Sequence, residues 1–228
     1  ALSHLGSAAH LAGDLDRAER FLTAALDLFD ALDADARSGM VTAILAEVAI
    51  DGGDLDAADR RIERTGSLLD DHAGRKRLAE TDRIRGRLAL ARGDPEAAAE
   101  ALEAAVEAAR EGGFTQVEAQ ALAALGEVAA ERGDVKEAAN RLTEALDLGR
   151  RIEDARATVA AADRLTDLLS GSGDAGKIDR EALREALAES PAEAVPAESA
   201  TDPAAYREVA DRWRVGGDGV GAAYPALG

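Results

Sequence analysis

One stretch of the chain has the spacing of a phosphate-binding loop: Gly171-Ser-Gly-Asp-Ala-Gly176-Lys177. In such loops backbone N–H groups cradle the phosphates, the lysine reaches them, and a following Ser or Thr holds Mg²⁺. Here the next residue is Ile178, so the hydroxyl is missing, and a helical pattern rather than a strand precedes the motif. Ser3 and His4 adjoin, yet no third residue can be argued to orient them as a nucleophile and base. The histidines are His4, His10 and His72, with no i, i+4 pair among them, and there is no cysteine, so neither a zinc site nor a disulfide is expected. The 45 acidic residues offer many carboxylate pairs, such as Asp33/Asp35 and Asp70-Asp71. Nothing marks one pair as a tuned acid and base, which would need a pocket. The residues therefore point to no enzyme, no cofactor and no metal.

Charge is the more informative chemistry. Residues 75–92 carry Arg75, Lys76, Arg77, Arg83, Arg85, Arg87 and Arg92 against Glu80 and Asp82, a local excess of cations in a chain of net charge −18. Arg83 and Arg87 are four apart and share a helix face. Two roles are open to them. They could pair with Glu47 and Glu127 of neighbouring repeats and set the stacking, or they could receive a carboxylate from a bound segment, often in bidentate geometry. The overall acidity argues against nucleic acid, which needs a basic face, and against an anionic membrane surface. No run of apolar residues is long enough to span a bilayer, and the start, ALSHLGSAAHLAGDL, lacks the basic region of a signal peptide. A cytoplasmic setting is the expectation. The acidity itself fits either a GC-rich genome or adaptation to high salt.

The elements that must position these residues are read from a repeat. Gly-Asp occurs at 13–14, 53–54, 93–94, 133–134 and 173–174, always 40 residues apart. The same period holds for Ala9, Ala49, Ala89 and Ala129, for Ala18, Ala58, Ala98 and Ala138, for Leu22, Ile62, Leu102 and Leu142, and for Gly6, Ala46, Gly86 and Gly126. Gly13 supplies the left-handed conformation that ends one helix, and Asp14 caps the next. Small residues on facing helices allow a close crossing, and Leu22 fills the space beside it. Helices are predicted at 2–12, 15–32, 37–52, 55–71, 76–92, 95–111, 115–132, 135–151, 154–170 and 178–189. The repeats span 1–35, 36–74, 75–113, 114–153 and a degenerate 154–190. Residues 191–228 form a Pro-, Ala- and Gly-rich tail in which 204–214 could be a short helix, with Tyr206 and Trp213 as candidate anchors.

Leu125, Gly126, Ala129, Gly133, Asp134, Ala138, Leu142 and Ala145 together resemble the tetratricopeptide (TPR) family, with a 40-residue repeat in place of the usual 34. The resemblance covers about residues 1–190. It implies an all-α solenoid, a right-handed superhelix of about five antiparallel helix pairs, whose first helices line a concave groove. The groove-lining residues it implies include Ser7, His10, Glu47, Arg83, Arg87 and Glu127. A non-catalytic scaffold for a protein or peptide segment, within a larger regulatory or assembly protein, is the expected function. The alternative is a ligand-sensing module of a signalling or transcriptional regulator. Ser3, Ser7, Glu80 and Ile84 stand where some family members carry the Lys and Asn that clamp a chaperone tail, so that role is not expected. Compared with the second repeat, Ala1 falls inside a helix. The chain is thus expected to be a clipped piece, whose opened first repeat offers an apolar face through which copies could pair.

Overall fold

A computed structural model of the chain describes residues 1–66, 71–170, 179–189, 192 and 195–220. The loop-like motif at 171–178, the fifth Gly-Asp corner and His72's side chain lie outside the described residues. The helices are α1 (Leu2–Leu11), α2 (Leu15–Ala31), α3 (Asp35–Asp51), α4 (Leu55–Gly66), α5 (Asp71–Ala91), α6 (Pro95–Gly112), α7 (Thr115–Arg132), α8 (Val135–Arg151), α9 (Ala155–Ser170), α10 (Arg180–Glu189) and α11 (Pro203–Val220). Among the described residues there is no strand. The chain is an all-α helical repeat. It forms two compact units, Ala1–Val117 and Glu118–Gly228.

The reversals follow one backbone rule. Gly13, Gly53, Gly93 and Gly133 have φ between 75° and 78°. Midway between them, Asp33 (φ 51°), Gly113 (φ 69°) and Glu153 (φ 57°) do the same. After each, an amide bonds back five residues: Asp14 N to Ala9 O at 2.9 Å, Ala34 N to Phe29 O at 2.9 Å, Phe114 N to Ala109 O at 2.8 Å, Asp154 N to Gly149 O at 2.8 Å. This is the six-to-one closure of a Schellman motif. The sequence marks only some of these corners with glycine, yet the chain turns in the same way at the others. The Asp carboxylates after the glycines then accept from Arg17 N (3.2 Å), Ala57 N (2.9 Å), Ala97 N (3.0 Å) and Glu137 N (3.2 Å), each capping its helix.

In the first unit α1 to α6 pack in antiparallel succession, and the first helices α1, α3 and α5 are also lateral neighbours. Ala18, Leu22 and Ala25 of α2 share a buried cluster with Val41, Leu45 and Val48 of α3, while Ala18 and Leu22 also meet Gly6 of α1. A second cluster joins α3, α4 and α5 through Ala46, Ala49, Ala58, Ile62, Ile84 and Leu88. The described part of α5 already includes Asp71, ahead of the predicted start at 76, with Gly74 inside the helix.

In the second unit α8 packs on α9, but α9's main remaining partner is α11. α10, the predicted second helix of the fifth repeat, lies chiefly against α8 and buries Leu183 and Leu187. The columns explain why: Ala182 stands where other repeats have Leu or Ile, too small to fill α9's flank. α11 supplies the bulk instead with Tyr206, Val209 and Ala210, all buried. The Tyr206 hydroxyl donates to Ala200 O at 3.0 Å, and burial with the nearby Asp147 charge pushes its pKa up to about 12. Trp213 is half-buried.

The glycine column records the crossings. A Cβ on Gly126 would sit 2.5 Å from Leu142 Cγ, one on Gly6 2.5 Å from Leu22 Cγ, and one on Gly86 would also collide with Leu102. Gly126→Ala should therefore lose stability. The helix-propensity gain of about 1 kcal/mol is outweighed by overpacking of about 1–3 kcal/mol. Thermal denaturation checks this; an unchanged or raised Tm would contradict the close crossing.

A charged row on the first helices

The first helices of the first unit carry a row of alternating charge. His10 Nε2 of α1 lies 2.6 Å from Asp51 Oδ2 of α3. Arg87 Nη2 of α5 donates to Asp51 Oδ1 at 2.7 Å, and its Nη1 is 3.7 Å from Glu47 Oε1. Arg83 Nη2 donates to the same Glu47 oxygen at 2.5 Å. Both arginines reach a carboxylate 36 residues earlier, one repeat less one helical turn, because neighbouring first helices are offset by that turn.

Burial divides the row. The side chains of His10, Glu47 and Arg83 are nearly closed off, while Arg87 (28 % exposed) and Asp51 (33 % exposed) reach solvent. Burial pushes the Asp51 carboxyl up, but the His10 hydrogen bond and the Arg87 charge together hold it below the usual carboxylate range. Glu80 goes the other way: burial raises it despite Lys76, Arg83 and Arg77 nearby. Arg77 is buried as well, and its Nη1 comes within 2.8 Å of where a Cβ on Gly39 would be. Gly39 thus gives a guanidinium room against α3. The basic stretch of α5 is largely committed internally, with Arg85 on Asp82 (2.9 Å) and Arg92 on Asp59 (2.8 Å).

Of the residues named from sequence, His10, Glu47, Arg83 and Arg87 meet in one row. Ser7 is half-buried on α1. Glu127 is half-buried on α7, in the second unit. The pairing of Arg83 with Glu47 is one of the two roles open from sequence. Asp51, the joint of the row, was missed. The signal was available in opposite charges 36 apart, Asp51 with Arg87 and Glu47 with Arg83. Among the described residues no group of three acidic or histidine side chains is placed to hold a metal, and no helix is long and apolar enough to cross a membrane.

Arg83→Ala removes the close partner of a buried carboxylate, leaving it Arg87 at 3.7 Å, and should cost about 3 kcal/mol. The double change Arg83→Met with Glu47→Leu should recover most of it, as read by urea denaturation; a mild loss for Arg83→Ala alone would refute the buried pair. Asp51's depressed pKa stabilises the fold above its unfolded value, and this is lost as pH falls through the folded value. Asp51→Asn should therefore lie below the parent in Tm at neutral pH, with the gap closing below about pH 4. A gap that widens in acid would reverse the sign.

No curated protein matches the chain. A family model described as the MalT-like TPR region matches residues 1–206, most of the sequence and into α11. The corners, the small-residue crossings and this match agree: the chain belongs to the MalT-like TPR family of helical repeats.

Proposed function

We propose that the chain is a non-catalytic interaction scaffold, binding a protein or peptide segment along the face of its first helices, as part of a larger cytoplasmic regulatory or assembly protein. The observation that carries this reading is the solvent-reaching end of the charged row. Arg87 is held by Asp51 but partly exposed, so an incoming carboxylate can exchange with Asp51 on the guanidinium. Arg83 contributes by fixing Glu47 beneath it. Stacked repeats give an extended surface suited to such ligands. Among the residues argued from sequence, Arg87 and Ser7 are the ones this role would use first.

A second reading, a ligand-sensing module of a multidomain regulator, is supported by the likeness of the long repeat to the sensor regions of such proteins and by the family match. A bound small molecule would then raise Tm by mass action.

Selection of peptides from a displayed random library against the chain tests the first reading. Carboxylate-bearing peptides should emerge, and Arg87→Ala should weaken them by about tenfold, roughly 1.4 kcal/mol, with helicity unchanged. Equal affinity for the Arg87→Ala chain would remove the face from consideration.

A further inference from the structure

We infer that carboxylate binding on the charged row is coupled to a proton. When a ligand carboxylate takes Arg87 from Asp51, His10 is protonated and becomes the counter-charge of Asp51, so mild acid tightens binding. This rests on the function proposed above and states how that same site is regulated.

The row is balanced in charge. Two guanidiniums, Arg83 and Arg87, meet two carboxylates, Glu47 and Asp51. Glu47 and Arg83 are buried, so neither can answer a new charge by turning to solvent. A carboxylate arriving on Arg87 is therefore the odd negative charge, and it leaves Asp51 with His10. A partly buried carboxylate needs an opposite charge or several donors. His10 Nε2 already lies 2.6 Å from Asp51 Oδ2. That contact holds the neutral ring as the Nε2–H tautomer, and the protonated ring donates the same hydrogen; the proton that changes the charge sits on Nδ1. Taking it up restores the balance without moving a side chain. Histidine is the side chain that does this between about pH 5 and 8. While Arg87 still compensates Asp51, the proton on His10 gains less; once Arg87 is engaged, it gains more. By reciprocity the protonated row binds the carboxylate more tightly.

The other charges around His10 leave it this role. α1 packs on α2 and α3. α2 turns Ala18 and Leu22 to α1 at Gly6, and its Asp14 caps α2 and lies 3.7 Å from Arg17. α3 brings Asp51 and Glu47, and α5 brings Arg87 and Arg83 behind them. His4, earlier on α1, is exposed. Glu80 of α5 is the competing proton acceptor, since burial raises its pKa. It neighbours Lys76, Arg83, Arg77 and Glu47, at the buried end of the row. His10 sits on the carboxylate that a ligand displaces.

The probe is a rhodamine-labelled peptide of alternating Glu and Gly, whose carboxylates stay ionised above about pH 5.5. It is titrated with the whole chain by fluorescence anisotropy at constant ionic strength. From about pH 8 to about pH 6 the affinity should rise at least about fivefold. Arg87→Ala should lose this binding, which places the probe on the row. His10→Gln keeps a donor for Asp51 but cannot gain charge, and its affinity should change by less than about twofold over the same range. Glu80→Gln should keep the parent's response. Calorimetry of the parent in buffers of differing ionisation enthalpy should show proton uptake on binding near about pH 7. Equal binding at both pH values with no proton uptake overturns the coupling and leaves the carboxylate site standing. A pH response that His10→Gln retains, or that Glu80→Gln removes, gives the proton to another group and overturns it too. No binding of the probe at either pH removes the carboxylate site itself, and the coupling with it.

Discussion

At seven of the described corners a single residue at positive φ ends one helix before the next begins, and the architecture there depends on that reversal. Helices of nearly equal length can lie antiparallel only if the chain turns within a few residues without leaving amides unpaired. The Schellman closure meets both demands at once. Where glycine supplies the conformation it costs little; Asp33 and Glu153 adopt it with side chains attached, at about 1–2 kcal/mol each. That strain is sustained because the helices on either side are already committed to their neighbours.

Between pairs, packing alone is nearly featureless. Alanine and leucine stripes would tolerate a slip of one turn at modest expense. The ion pairs of the first helices do not. Glu47 is buried under Arg83, and Asp51 is held between His10 and Arg87, so a shift of α5 by four residues would take one of the two carboxylates off its arginine. The charged row therefore acts as a register key for α1, α3 and α5, while its outer members stay open to water.

Much of the fold was legible because its determinants are local and repeated. Gly-Asp corners, Asp caps and the Gly126–Leu142 crossing each need a particular residue at a particular place, so the 40-residue period exposes them. Asp33 and Glu153 were not legible as left-handed residues, since tertiary packing forces that conformation on ordinary side chains. The charged row was half legible. Arg83, Arg87, Glu47 and His10 follow from placing one face of each first helix inward, but Asp51 sits one residue off its column and enters only through the offset between neighbouring helices. The role of α11 was out of reach. No repeat column predicts it, and its glycines at 216 and 217 suggested a break where the helix continues to Val220.

The pairing of α9 with α11 has a kinetic meaning. Every earlier pair forms from helices a few residues apart, a closure that is fast and entropically cheap. α9 must wait for a segment beginning at Pro203, with α10 made in between. As the polypeptide leaves the ribosome, the apolar side of α9 stays bare until Tyr206 and Val209 have emerged. The α9–α11 pairing is thus slower to mature than the pairs before it, and more exposed to chaperones or to misassembly with a neighbouring nascent chain.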